Sequence, residues 1–254
     1  MIKRGLFVMF SYNEYKNIIK LIQSNLPILD FINIDKNTKE YCVIRHDIEF
    51  SMDRAYKLAL LELKLGINST YTVQLRNNTY NALSDKNITL IHKIKDMGHK
   101  IGLHIIPSLS KTKDEVTQEI LLEVNTFKKY YGFNIDRFAF HRPNLKPELL
   151  GWYLEVPGLI NCNGKKYFHY FLNKPNELNV TYLSDSNHKW SFGHPINLNF
   201  SKVKKLQLNT HPFSWTEFGL ENYGNFLSLI KERNNEMLYD MKSENKAFPK
   251  ELLL

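Results

Sequence analysis

Two acidic residues at the end of an apolar stretch are the first residues that could do chemistry. Residues 42–49 read Cys-Val-Ile-Arg-His-Asp-Ile-Glu, and this change from apolar to ionisable residues is typical of a buried parallel strand that ends at a site. Because side chains alternate along a strand, Asp47 and Glu49 point to one side, whereas His46 points to the other and is expected to bond the backbone. Two carboxylates on one side repel each other, and a divalent metal ion between them is the simplest remedy. The alternative at this point is a pair of hydrogen-bonding acids where a strand enters a solvated loop.

Three further apolar segments end in histidine. These histidines are His104, His141 and His211. Enzymes built on parallel sheets and barrels place their chemistry at the carboxyl ends of strands, and four such segments are difficult to explain as core histidines. His99 lies five residues before His104, so strand parity turns it to the opposite side, where we expect a structural role.

These motifs follow the order found in a known enzyme family. The chain resembles the polysaccharide deacetylases, the NodB-homology superfamily or carbohydrate esterase family 4, over roughly residues 5 to 220. More narrowly, it is similar to the divergent branch associated with bacterial surface-polysaccharide and lipopolysaccharide gene products. Each motif is weak alone, but five in order are fairly specific. They are residues 45–49 (RHDIE), 66–71 (GINSTY), 98–104 (GHKIGLH), 141–143 (HRP) and 210–212 (THP).

The resemblance implies a fold and a reaction. The fold is a distorted, incomplete (β/α) barrel of about seven units, and the reaction is hydrolysis of an acetyl group on an amino sugar or polysaccharide precursor in surface-glycan metabolism. The implied cofactor is a divalent metal ion, expected to be Zn²⁺, with Co²⁺, Ni²⁺ and Mn²⁺ as alternatives. The resemblance also implies residue roles. Asp47 is the base, Glu49 and His104 are metal ligands, and His211 protonates the leaving amine. Arg142 orients Asp47, Asp185 supports His211, and Trp190 packs beside the acetyl methyl group.

The chain departs from the family pattern at two ligand positions. Glu49 stands where the family has a shorter aspartate, and Ser108 stands where it has a second metal-binding histidine. Catalytic zinc usually keeps three protein ligands, so another residue has to complete the set. We expect His141 or Asp47 to do so, with His211 as a further alternative. Two other functions stay open: a metal-free relative that binds a glycan or a partner enzyme, and a metal-dependent hydrolase of another non-peptide C–N bond.

The elements that must position these residues alternate along the chain. Strands are predicted near residues 41–47, 69–75, 100–104, 138–141 and 206–210, and helices near 11–24, 52–65, 88–97, 114–131 and 221–242. Such alternation indicates βαβ units and a parallel sheet. We expect one domain over residues 1–254, with the first and last helices packed on it. Residues 76–81 form a polar loop whose Arg76 and Tyr80 could touch a sugar, an ordinary exposed loop being the alternative.

Composition limits the partners. The chain has 254 residues, 43% of them apolar, and a net charge of +8, yet it has no dense Lys/Arg block and no nucleic-acid motif. The predicted partner is therefore a glycan or an acetylated amino sugar. Two distant cysteines, a short N-terminal apolar run and the lack of any stretch of ~18 apolar residues lead us to expect a cytoplasmic protein without a transmembrane segment.

Overall fold

The structure is a computed structural model that describes residues 9–107, 110–150, 153–168 and 179–253. Its centre is a seven-stranded sheet in the order β5-β4-β3-β2-β1-β7-β6, in which every pair is parallel. The sheet curls into a half-barrel with helices around it, which confirms the predicted incomplete (β/α) barrel. The strands are β1 Tyr41–Ile48, β2 Thr70–Val73, β3 Lys100–Ile105, β4 Arg137–Phe140, β5 Ile160–Asn161, β6 Thr181–Ser184 and β7 Lys205–Thr210.

The helices begin and end at local signals in the sequence. Ser11 caps the first helix by accepting a hydrogen bond from the Glu14 amide, and Gly66 ends the second in the left-handed region at φ 68°, where glycine carries no steric penalty. The third helix starts at Asp85 rather than at residue 88, because Ser84 caps it before its apolar repeat begins. The helices are α1 Tyr12–Gln23, α2 Met52–Leu65, α3 Asp85–Asp96, α4 Lys113–Tyr131, α5 Pro147–Leu150 and α6 Asn222–Glu244. None of these described helices combines the length and the apolar character needed to span a bilayer.

Strand β1 separates two environments. Cys42 and Ile44 pack toward helix α1, whereas Val43 faces the barrel interior with Ala139 and Cys162. Since side chains alternate, Arg45 and Asp47 continue the interior row above this apolar floor. The polar residues near the strand ends therefore sit on a closed base of packed side chains.

His46 faces outward, as strand parity predicts, but it does not bond the backbone. Its Nε2 lies 3.0 Å from Glu62 of α2, and its Nδ1 lies 2.7 Å from the Thr210 hydroxyl. Glu62 is fully buried and also accepts hydrogen bonds from Tyr15 at 2.6 Å and Tyr71 at 2.7 Å. The expectation of a backbone bond was wrong because the two ring nitrogens of His46 contact side chains instead, the Glu62 carboxylate and the Thr210 hydroxyl. This buried cluster joins α1, α2, β1 and β2 directly behind the strand ends.

Candidate active site

The strand ends bring the ionisable residues to one edge of the sheet. Asp47 is the penultimate residue of β1, and His104 lies near the end of β3. His141 and His211 directly follow β4 and β7. Because all strands are parallel, their carboxyl ends meet at the same edge. Together they line a cavity of about 380 Å³.

Three side chains in this cavity present ligand atoms to a common point. His141 Nδ1 lies 3.0 Å from Glu49 Oε1 and 3.3 Å from His104 Nε2, and His104 Nε2 lies 3.7 Å from Glu49 Oε1. Two ligands that each sit about 2.0–2.1 Å from a tetrahedral zinc ion are about 3.3 Å apart. The three separations fall around that value, so the donor set Glu49, His104 and His141 fits a zinc-sized ion.

The second ring nitrogen of His104 supports the same interpretation. His104 is 2% exposed, and within the described part of the chain its buried Nδ1 has no hydrogen-bond partner. Its nearest acid is Asp47 Oδ1, at 3.7 Å. Histidines that bind a metal through one nitrogen usually direct the other toward a carboxylate or carbonyl. The ring therefore has the orientation of a ligand whose Nε2 faces the cavity and whose Nδ1 faces Asp47.

Asp47 is held by donors on its own strand and on the two strands beside it, β2 and β7. Arg45 donates to both carboxylate oxygens at 2.9 and 3.0 Å, Thr72 donates at 2.7 Å, and Asn209 donates at 3.0 Å. Arg142 was expected to orient Asp47, but the guanidinium that bonds the Asp47 carboxylate belongs to Arg45. Arg142 is an exposed residue of the cavity lining. Strand parity explains why Arg45 makes this contact, because Arg45 lies two residues before Asp47 and therefore on the same side of β1.

The surroundings keep both acids ionised. Burial by itself raises the pKa of Asp47, but Arg45, His104 and His211 together hold that pKa well below its ordinary value. Burial likewise raises the pKa of Glu49, but the charges of His211 and His104 and the hydrogen bonds of His104 and His141 outweigh burial and hold that pKa below its ordinary value. Two acids that remain charged at one cavity are suited to a cation between or beside them.

His211 and Asp185 form a buried pair beside this cluster. His211 Nδ1 lies 2.6 Å from Asp185 Oδ1, and the His211 backbone amide donates to the same oxygen at 2.9 Å. Trp215 donates its indole N–H to the other oxygen at 2.8 Å. These contacts leave His211 Nε2 facing the cavity, 3.9 Å from Glu49 and 4.0 Å from Asp47.

The His211 ring is set to carry a proton. Burial lowers the pKa of His211, but the negative charges of Glu49, Asp185 and Asp47, with the Asp185 hydrogen bond, raise it to about 9. At neutral pH the ring is then an imidazolium whose Nε2–H points into the cavity. Such a group can protonate a leaving group.

The predicted sugar-contacting residues lie elsewhere. Tyr80 is 4% exposed, and its hydroxyl donates a hydrogen bond to the backbone carbonyl of Ile48 at 2.8 Å. It therefore stabilises the end of β1 and does not face a sugar. Arg76 pairs with Glu123 at 3.0 Å, outside the cavity lining. Trp190 packs against Trp215 in the cluster behind β7 and is also absent from that lining. The Ser108 departure lies outside the described residues.

Sequence reasoning missed part of the lining. Arg45 and Asn209 hold Asp47, and strand parity on β1 was the signal that could have found Arg45. Asn209 lies two residues before His211 on β7, and it is the register partner of Arg45 on the neighbouring strand β1. The aromatic lining comes from separate segments that no local pattern connects. It includes Phe50, Phe140, Tyr182, Phe192, Phe213 and Phe226.

Comparisons with known proteins give structural likeness only. No protein-family model matches the chain, and no curated protein does. A chitin deacetylase from the fungal pathogen Colletotrichum lindemuthianum is 14% identical over 78% of this chain and 84% of its own, with a TM-score of 0.42. A family 4 acetyl xylan esterase from Clostridium thermocellum, in complex with a cobalt ion, is 15% identical over 76% and 84%, with a TM-score of 0.39.

A family 4 carbohydrate esterase from Bacillus anthracis is 15% identical over 90% of this chain and 93% of its own, with a TM-score of 0.40. At these scores the likeness does not carry over an activity or a substrate, and both have to come from the residues of the site.

Proposed function

We propose that the protein is a metal-dependent hydrolase that removes an acetyl group from an amino sugar or polysaccharide precursor in surface-glycan metabolism. One observation carries the proposal: the ligand atoms of Glu49, His104 and His141 converge beside the buried His211–Asp185 pair in a single cavity. A set of metal ligands next to a fixed proton donor is the equipment of metal-assisted hydrolysis.

Each residue then has a defined task. A divalent ion, expected to be Zn²⁺, would be held by Glu49, His104 and His141 and would supply a polarised carbonyl and an acidified water. Asp47, ionised and fixed by Arg45, accepts the proton of the attacking water. His211 donates its Nε2 proton to the leaving amine, and Asp185 holds the ring in that orientation.

The lining of the cavity supports a sugar substrate. Aromatic side chains such as Phe50, Tyr182 and Phe213 share the walls with the amides of Asn144 and Asn163. Apolar walls with a few placed polar groups bind small ligands, and a sugar ring offers both C–H faces and hydroxyls. Both cysteines are free and buried, which supports our placing of the reaction on a precursor in the cytoplasm.

The experiment is an acetate-release assay. Purified protein, loaded with Zn²⁺ or Co²⁺, is offered an N-acetylated amino sugar, an O-acetylated sugar and a small aliphatic amide. We expect acetate from the first, and a loss of at least ~10²-fold in Glu49→Ala and His104→Ala. His92→Ala is the matched control, because His92 lies on α3 and packs edge-on against Phe133 away from the site.

Other outcomes would point to the alternatives. Full activity in both ligand variants would refute the proposal. Turnover of the amide alone would favour a hydrolase of another C–N bond. Sugar binding without turnover or metal uptake would favour a metal-free glycan-binding relative.

A further inference from the structure

Helix α6, residues Asn222–Glu244, leaves a long row of apolar side chains in solvent. Tyr223 is 75% exposed, Ile230 55% and Met241 49%. The opposite side of the helix is committed to the barrel: Leu229 is buried, and Asn225 and Glu232 both bond Arg54 of α2. The exposed row therefore lies on the side of the helix away from these contacts.

The row has the spacing of a coiled-coil seam. Its members follow one another at intervals of four, three, four, three and four residues, so they alternate as the a and d positions of a heptad. At 100° per residue they all fall within about 40° of one line along the helix, and that line lies about 150° from the side that faces the barrel. The members are Tyr223, Leu227, Ile230, Asn234, Met237 and Met241.

We propose that α6 pairs with the α6 of a second copy of this chain, in an antiparallel arrangement that forms a two-fold dimer. An isologous contact of this kind needs only one surface that complements itself. The central layers would pair Asn234 of each copy with Met237 of the other, and the next layers would pair Ile230 with Met241. This inference goes beyond the proposed function and does not rest on it.

The charges along the row favour this occupant. Arg233 and Asp240 lie on the same flank of the row, and antiparallel pairing places like flanks against each other, so each Arg233 meets the Asp240 of the other copy. Arg233 also pairs with Glu236 of its own helix, which leaves guanidinium donors for a second acceptor. An anionic membrane surface fits less well, because the charged residues of α6 nearly cancel. They are Lys231, Arg233 and Lys242 against Glu232, Glu236, Asp240 and Glu244.

The size of the contact sets its strength. In this register the two helices overlap over residues 227–244, which is about 27 Å of helix, and a strip about 10 Å wide along that length covers roughly 270 Å² in projection. This is below the ~800 Å² per partner of a standard stable interface. Asn234 lies on the seam, where a polar residue fixes the register at a cost in stability. We therefore expect a reversible dimer whose population rises with protein concentration, rather than a permanent one.

Sedimentation velocity over a concentration series of the full chain tests the dimer. Asn234→Leu should tighten association at least ~10-fold, because it replaces the polar layer of the seam. Asn235→Leu is the matched control: Asn235 is a neighbour that is also exposed but lies off the seam, and its replacement should change nothing. Ile230→Lys should weaken association at least ~10-fold, whereas Leu122→Lys on α4, which also places a lysine at an exposed aliphatic position, should not.

A charge exchange tests the antiparallel direction. Asp240→Arg should weaken the dimer several-fold, and the double variant Arg233→Asp/Asp240→Arg should restore it. Failure of the double variant to restore association would overturn the antiparallel register. Monomers at every concentration in both the wild type and Asn234→Leu, or equal strengthening by Asn235→Leu, would overturn the dimer itself. These readouts measure mass and not turnover, so they stand apart from the metal site.

Discussion

Replacing Glu62 with glutamine should lower the free energy of unfolding and remove part of the dependence of that free energy on pH. Glu62 is a fully buried carboxylate that accepts hydrogen bonds from Tyr15, Ser69 and Tyr71 and contacts the His46 ring at 3.0 Å. Glutamine keeps the shape, but it loses the charge and turns one acceptor into a donor facing other donors. Hydrogen bonds to charged groups are stronger than neutral ones, so the variant loses more than a single bond.

The size of the effect follows from the pKa of Glu62. Burial raises this pKa, but His46, His99 and the Ser69 hydrogen bond outweigh it and lower the value from 4.5 to about 2. At about 1.4 kcal/mol per pH unit, the ionised form contributes about 3 kcal/mol to the free energy of unfolding. Because the folded pKa is the lower one, this contribution is complete above pH ~5 and is lost as the pH falls toward ~2.

Urea denaturation followed by circular dichroism, at several pH values between 7 and 3, checks the prediction. Glu62→Gln should unfold with about 3 kcal/mol less free energy at pH 7, and its difference from wild type should shrink as the pH falls. Glu155→Gln is the control, since Glu155 is exposed and its replacement should have little effect. A difference below ~1 kcal/mol at pH 7 would refute the reasoning, and so would a difference that stays constant down to pH 3.

Three further predictions concern single side chains of the site. Arg45→Lys loses the paired contact with Asp47, so kcat in the acetate assay should fall at least ~10-fold while the bound metal stays constant. Asp185→Asn removes the charge that holds His211, and kcat should fall by ~10²-fold or more, again with the metal retained. Tyr80→Phe leaves Ile48 and Gln74 without their hydroxyl partner; denaturation should show a loss of ~1–3 kcal/mol with kcat unchanged.

Local patterns in the sequence were sufficient for the frame of the fold. The predicted spans of β1, α1 and α2 agree with the structure to within one residue at each end, and β2 lies within its predicted span. The start of α3 was misplaced because its first turn carries no apolar repeat. Strands β5 and β6 were not resolved as separate elements, since they are short and lie in a segment rich in Tyr and Asn. Their edges are defined by pairing with distant strands, which no local pattern encodes.

Some features of the candidate site could likewise be predicted from the sequence, and others could not. The polar residues at strand ends were visible in the sequence because parallel strands gather them at one edge. Arg142 was assigned the contact that Arg45 makes, since the family motif pointed to one residue and strand parity to the other. Tyr80 was expected at a sugar because it sits in a polar loop, but that loop folds back until its hydroxyl reaches Ile48. Contacts between a loop and a remote strand end depend on packing, and spacing alone does not predict them.

The most direct test of the central claim is the metal content of the purified protein. Elemental analysis after reconstitution with Zn²⁺ or Co²⁺ should find about one ion per chain in the wild type. The ion should be lost in His104→Ala and His141→Ala and retained in His99→Ala, whose ring contacts Ala59 behind the sheet. No metal in the wild type, or equal metal in all four proteins, would contradict the assignment of Glu49, His104 and His141 as the ligands.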